Sequence, residues 1–199
     1  MRRSVILIVS GPSGAGKDTV IERLRQVESG LSYCVTYTTR APRQYEIDGV
    51  HYCFTTRDVF AQMSRDEKFL ETFEYAGNLY GTPRAFVEEG LRDGRDLILK
   101  PEVNGARAIK AIYPEAVLVF LAAPSASELA RRLEQRHADA PSDIDRRLAI
   151  AGGEQAAMSS FEYLVINDDI ERAVNDLRAI LTAERLKVSR AAVRKAVTS

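Results

Sequence analysis

The fold class predicted by the sequence is α/β, a three-layer α/β/α arrangement around a parallel core sheet, with a small mixed β lobe and a short lid inserted into it. Three features of the 199-residue chain carry that expectation. Val5-Ile6-Leu7-Ile8-Val9 is a continuous, β-branched apolar run ended by Gly11 and Pro12, as in a strand buried on both faces of a parallel sheet. Two more such runs, 96–99 and 117–122, are each followed by a helix-patterned stretch, and the alternation implies a doubly wound sheet with right-handed crossovers. From about Tyr33 to Pro83 the pattern changes to short, alternating, aromatic-rich stretches broken by Gly49 and Gly77, which suits a mixed β lobe.

Taken in order, the first strand leads into a helix from about Lys17 to Glu28, whose Val20, Ile21 and Leu24 share one face. The lobe, 33–83, follows. Residues 136–142 are polar and end in Pro141, an exposed turn between two arginine-bearing helices, and the lid is set at 136–147. The core is then assembled from 1–32, 84–135 and 148–185, and a basic tail, 186–199, is a helix or a frayed end with no assigned function. One domain suffices, because 199 residues that are 45% hydrophobic support one well-packed core and not two of ordinary size. The 28 basic and 28 acidic side chains cancel, so no global field draws the protein to nucleic acid or to a membrane, and any polyanion must be gripped locally. The two cysteines, Cys34 and Cys53, lack the tight spacing of a zinc or redox motif, which points to a reducing compartment. The five apolar residues after Ser4 are too few for a signal segment or a membrane span, so a soluble cytoplasmic protein is expected. Oligomeric state leaves no trace in the sequence.

Gly11-Pro12-Ser13-Gly14-Ala15-Gly16-Lys17 fits G-x-x-x-x-G-K and sits between the first strand and the first helix, the context a phosphate-binding P-loop requires. The glycines let backbone N–H groups turn inward around the β-phosphate of a nucleotide such as ATP. The helix N-terminus adds its dipole, and Lys17 supplies a point charge toward the β/γ oxygens. Asp18 stands where that motif ordinarily has Ser or Thr to ligate Mg²⁺. Its carboxylate also binds magnesium but adds negative charge beside the triphosphate; the hydroxyl of Thr19 is the other candidate, and the sequence leaves the choice open.

Downstream stand Thr38-Thr39-Arg40-Ala41-Pro42-Arg43, then Glu46, Gly49 and Tyr52, then Phe69-Leu70-Glu71, then Gly77-Asn78-Leu79-Tyr80-Gly81-Thr82-Pro83. Two arginines around a proline with two tyrosine hydroxyls suit the grip of a phosphate monoester dianion, although exposed arginines on a β lobe are by themselves equally ordinary. With the P-loop, these residues resemble guanylate kinases from Ile8 to about Leu181, most specifically in the T-T-R-x-P-R and G-N-x-Y-G-T elements. The resemblance implies an ATP:GMP phosphotransferase acting on GMP or dGMP. Arg40, Arg43, Tyr52 and Tyr80 would hold the GMP phosphate, and Thr36, Glu71 and Thr82 would contact the guanine base. Glu71 also has a rationale of its own, because a carboxylate accepts from the N1–H and N2–H donors that distinguish guanine from adenine. Arg132, Arg136 and Arg147 match arginines around the family's lid that neutralise the transferring phosphoryl group; salt-bridged helix surface is the plainer reading of each. Asn167 falls where the family approaches the adenine of ATP, although an Asn there also suits a helix cap.

The chain departs from the family after the strand at 97–99. Where guanylate kinases have D-x-D-x-Q-G, it reads Lys100-Pro101-Glu102-Val103-Asn104-Gly105. Glu102 keeps the second acid, one methylene longer and still able to meet guanine N2–H. Lys100 reverses the first, a change expected to alter magnesium placement, acceptor geometry or both. Pro101 removes an N–H where no ladder bond is needed. Lys17-Asp18, the stretch 103–108 and the stretch 132–148 are similar to ribose 1,5-bisphosphate phosphokinases, a sister family whose acceptor has no base. A third reading is a non-catalytic binding module like the guanylate-kinase-like domains of scaffold proteins. Glu71 and the arginine element favour GMP over the sugar phosphate, and the retained Gly16 and Lys17 favour catalysis over the scaffold role.

Overall fold

A computed structural model describes residues 3–134, 153 and 157–191. Arg136, Arg147 and the expected lid, 136–147, lie outside them, as does most of the basic tail. The core sheet has five parallel strands in the order β2-β7-β1-β8-β9. They are β1 (Ile6–Ser10), β2 (Leu31–Tyr33), β7 (Asp96–Leu99), β8 (Val117–Ala122) and β9 (Tyr163–Ile166). β1, β7 and β8 are buried along their whole lengths, as expected of largely apolar strands covered on both faces, and the polar Ser10 and Asp96 at their ends are hydrogen-bonded.

Side chains alternate across the pleat, and β1 shows how the layers form. Val5, Leu7 and Val9 pack with Val20, Ile21 and Leu24 of helix α1 (Lys17–Val27) and with Ala173, Val174, Leu177 and Leu181 of α6 (Ile170–Leu186). Ile6 and Ile8 point the other way, onto Val87 of α3 (Arg84–Arg92) and Ala106 and Ile109 of α4 (Val103–Ile112). The result is the expected three-layer sandwich. Each fully buried Leu or Ile contributes about 1.5–3 kcal/mol. Helix α5 (Ala126–Glu134) follows β8 and sets Leu129 and Leu133 beneath the P-loop. Among the described residues no helix is long and apolar enough to cross a membrane.

The insertion forms a second, mixed sheet in the order β4-β3-β6-β5: β3 (Tyr37–Thr38), β4 (Cys53–Phe54), β5 (Phe69–Tyr75) and β6 (Asn78–Pro83), with helix α2 (Arg57–Arg65) between β4 and β5. Thr56 caps α2 by accepting from the N–H of Val59. The expected start of the lobe at residue 33 is too early, because Tyr33 pairs with Ile98 in the core sheet and the mixed sheet begins at Tyr37.

Candidate active site

Both sheets contribute to one cleft. Its lining takes in Gly11, Ser13, Gly14, Gly16, Lys17 and Asp18 from the P-loop, Thr36, Arg40, Arg43, Tyr52 and Tyr80 from the lobe, and Lys100, Pro101 and Glu102 from the end of β7. Residues separated by more than eighty positions thus share one wall.

The loop turns as its glycines allow. Gly11 has φ +137°, and a Cβ there would fall 2.1 Å from the carbonyl oxygen of Leu121. Gly16, with φ +90°, opens α1 with no side chain capping it, so the first-turn N–H groups stay oriented toward an anion. Within the turn, the N–H of Ala15 donates to the carbonyl of Pro12 at 3.1 Å. Lys17 curls over it, its Nζ donating to the carbonyls of Pro12, at 3.0 Å, and Gly11.

Two side chains brace the loop from outside. Asn167 is buried and its Nδ2 donates to the Ala15 carbonyl at 2.8 Å. Arg132 donates to the Asn167 carbonyl at 2.9 Å and is itself held by Glu128 at 2.7 Å. The cap role left open for Asn167 belongs to Asp169, which accepts from the N–H of Arg172 at 2.9 Å and starts α6. Pro12 and the rest of the loop thereby rest on β8, α5 and the turn after β9.

In the lobe, Arg40 and Arg43 are organised by a residue to which the sequence assigned no role. Glu46, its side chain 4% exposed, takes Nη2 of Arg40 at 2.7 and 2.9 Å and the backbone N–H of Arg43 at 2.7 Å. Burial works against the charged Glu46, but the two arginines hold its carboxyl below the usual range. The guanidinium of Arg40 lies 5.4 Å from the Tyr52 ring centroid, a cation–π contact that fixes its plane. Tyr80 stacks on Phe73 with centroids 5.1 Å apart. Glu46 was visible only as an acid following a pair of arginines, too common a pattern to single out.

Strand register sets up the third group. Glu71 on β5 lies opposite Thr82 on β6, and the Thr82 hydroxyl donates to Glu71 Oε1 at 2.5 Å. Glu71 Oε2 is buried with no hydrogen-bond partner among the described residues. Burial, aided by Glu102 and opposed by Thr82, pushes the Glu71 carboxyl up to about 7. Gly105 makes room for it, since a Cβ there would stand 2.6 Å from Oε2. Glu71 and Thr82 lie behind the cleft's lining rather than in it, whereas Thr36 faces it directly. Glu102, expected to face guanine, is partly committed to the fold: it caps α4, its Oε1 accepting from the N–H of Gly105 at 2.8 Å. β7 ends at Leu99, so Pro101 costs the ladder nothing, and its carbonyl accepts from the buried Ser10 hydroxyl at 2.9 Å.

Lys100 joins the two halves. Its Nζ donates to the Asp18 carboxylate and, at 3.2 Å, to the Tyr52 hydroxyl. Burial alone would lower its pKa, but Tyr52, Asp18 and Tyr33 hold it well above the ordinary lysine value. Thr19 turns to a separate depression lined by Glu22, Tyr45 and His51.

The sequence pattern of the guanylate kinase family matches residues 2–184. The chain is 46% identical over 190 residues to the guanylate kinase of Carboxydothermus hydrogenoformans, across 96% of this chain and 93% of that one. It is 43% identical over 193 residues to the guanylate kinase of Bacillus subtilis, across 96% and 95%. Among solved structures, the guanylate kinase from Anaplasma phagocytophilum superposes with a TM-score of 0.82 at 30% identity, covering 97% of this chain and 92% of the other. The loop, the arginine clamp and the buried carboxylate thus sit within a chain that is alike over nearly its whole length, and the protein belongs to the guanylate kinase family.

Proposed function

We infer that this protein transfers the γ-phosphate of ATP to the phosphate of GMP or dGMP, releasing ADP and GDP or dGDP. The observation that carries the acceptor is Glu71: a buried carboxylate whose Oε2 has no hydrogen-bond partner among the described residues and which stands behind a cleft lined by Arg40 and Arg43. A guanine edge brings N1–H and N2–H side by side to that carboxylate, where an adenine edge brings one donor beside an acceptor.

In this reading the triphosphate lies on residues 11–17, with Lys17 at its β/γ oxygens. Arg40, Arg43, Tyr52 and Tyr80 orient the acceptor phosphate, and Thr36, Glu71, Thr82 and Glu102 meet the base. Arg132 and Asn167 hold the loop from outside; the charge-neutralising role that the resemblance gives Arg136 and Arg147 falls on residues outside the described ones. The acceptor oxygen is already ionised, so no strong base is required; alignment and charge neutralisation carry the rate.

Asp18 is the carboxylate that reaches this cleft beside the loop lysine, and among the described residues no three His, Cys, Asp or Glu side chains converge as a metal cage. The Asp18 carboxylate already accepts from the Lys100 ammonium, so Mg²⁺ would come with ATP and be held chiefly by phosphates and water, as that ion commonly is. Bound with ATP, the ion supplies positive charge to the β and γ oxygens. With these nucleotides as substrates the protein works in the cytoplasm.

A ribose 1,5-bisphosphate acceptor is the second reading, favoured by Lys100 in the cleft. It leaves the buried Glu71 oxygen with nothing to accept from. A panel of GMP, dGMP, AMP and ribose 1,5-bisphosphate under saturating Mg-ATP separates the readings by ADP release. Turnover should be largest with GMP and dGMP; no turnover with any nucleoside monophosphate would overturn the assignment.

The raised Glu71 pKa gives a pH test. Below about 7 the carboxyl is protonated and one acceptor site is lost. kcat/KM for GMP should therefore rise with pH through about 7 and level off above it. The acceptor's own phosphate, ionising near pH ~6, contributes a separate step. Glu71→Gln should abolish the step near 7 and keep the other; two unchanged steps would mean that Glu71 does not touch the base.

A further inference from the structure

The two residues that depart from the family's pattern meet in space. Lys100, just past β7, and Asp18, in the first turn of α1, form an ion pair across 82 positions of sequence. The Lys100 side chain is 5% exposed and that of Asp18 is 57% exposed, so the lysine is the buried member and the aspartate sits at the rim. Its ammonium also lies 4.6 Å from the centroid of the Tyr52 ring. Asp18 follows the loop lysine directly, whereas Tyr52 lies against Arg40 of the phosphate clamp. The charge stands at the seam between the two phosphate-binding halves of the cleft, which it lines together with Lys17 and Arg40.

We propose that Lys100 is a catalytic residue of the transfer, its ammonium contacting the phosphate oxygens that meet at this seam, and that Asp18 is the residue positioning it. The inference rests on the ATP:GMP reading of the cleft. Two anionic phosphates must approach to bonding distance, and their charges repel strongly in a site shielded from water. A cation held between them offsets part of that repulsion without reorganising during the reaction. As an oxygen of the GMP phosphate bonds to the γ-phosphorus, the bond from that phosphorus to the bridging oxygen breaks, its electron pair leaves with ADP, and Lys100 keeps its proton throughout. A buried ammonium without a counter-charge would be strongly destabilising, and the Asp18 carboxylate at the rim supplies one.

The test uses the full chain with Lys100→Met, Lys100→Arg, Asp18→Asn and the double variant Lys100→Met/Asp18→Asn. Lys100→Met should lower kcat about a hundredfold with KM for ATP and GMP within about threefold, the pattern of a contact made chiefly in the transition state. Lys100→Arg should recover part of the rate. Asp18→Asn should cost about tenfold, and the double variant should be no worse than Lys100→Met alone, because the two residues act as a unit. A ligand joining two nucleosides through their phosphates should lose far more affinity in Lys100→Met than ATP or GMP does separately; a purely structural pair would weaken all three alike. A folded Lys100→Met with kcat within twofold of wild type overturns the proposal. If that variant fails to fold, unchanged kcat in Asp18→Asn overturns it. Wild-type protein assayed alongside keeps the cases apart: no GMP turnover there removes the ATP:GMP reading and the inference with it.

Discussion

Lys17→Ala should abolish most phosphoryl transfer, lowering kcat roughly a hundredfold or more, the scale of a lost transition-state contact. The reason is local. Lys17 Nζ is placed over the loop by the carbonyls of Gly11 and Pro12, and it is the cation that the loop itself contributes. The other ammonium in the cleft, Lys100, is engaged by Asp18 and Tyr52 and does not belong to the loop. The fold should survive, since Lys17 lies on the cleft surface and the α1 core residues Val20, Ile21 and Leu24 are untouched. Initial rates at saturating ATP and GMP, alongside thermal unfolding, decide the matter: near-normal kcat would mean that Lys17 is not the residue at the β/γ oxygens.

Glu71→Gln should move activity and stability in opposite directions. The amide keeps one acceptor oxygen for the Thr82 hydroxyl but turns an NH₂ toward a guanine donor. That mismatch should cost about 2–4 kcal/mol, or roughly thirtyfold to nearly a thousandfold in kcat/KM for GMP. Stability should change the other way. In the unfolded chain the carboxyl ionises near its ordinary value of 4.5, and in the folded protein near 7. The folded state therefore binds the proton more tightly, and the carboxyl's contribution to stability is lost as pH rises from about 4.5 to 7. The neutral amide escapes this loss, so at pH ~8 Glu71→Gln should be about 1–2 kcal/mol more stable than wild type. Denaturant unfolding at pH ~5 and ~8 tests it; an equal effect at both would show that Glu71 is not held protonated by burial. GMP turnover within about twofold would remove Glu71 from base recognition and shift the balance to the sugar-phosphate acceptor.

The parts of the fold legible in the sequence were those that burial or a motif writes locally. β1, β7 and β8 are buried throughout and read as apolar runs, and the α1 face of Val20, Ile21 and Leu24 follows from helical spacing. β2 and β9 went unmarked because they lie at the sheet's edges. β2 has three residues, and on β9 Leu164 and Ile166 are 50% and 37% exposed, so neither shows a buried-strand pattern. The P-loop and the arginine element announce themselves by spacing. The Lys100–Asp18 pair could not, because its members were each visible only as an oddity until the chain brought them together. Glu102 shows a third limit: the residue before a helix is drawn into capping it, whatever else its carboxylate offers.

The packing of β1 also bears on how the protein is made. The face carrying Val5, Leu7 and Val9 is completed by α6, near the far end of the chain, and β1 finds its neighbours β7 and β8 only when they have been synthesised. A nascent chain extends at roughly 5–20 residues per second, so this face has only α1 to cover it for on the order of ten seconds during translation. The P-loop rests on residues of that late segment, through Asn167, and on Arg132. Nucleotide can thus add little to the stability of a ribosome-bound fragment lacking them. Ligand-assisted folding is confined to the nearly finished polypeptide.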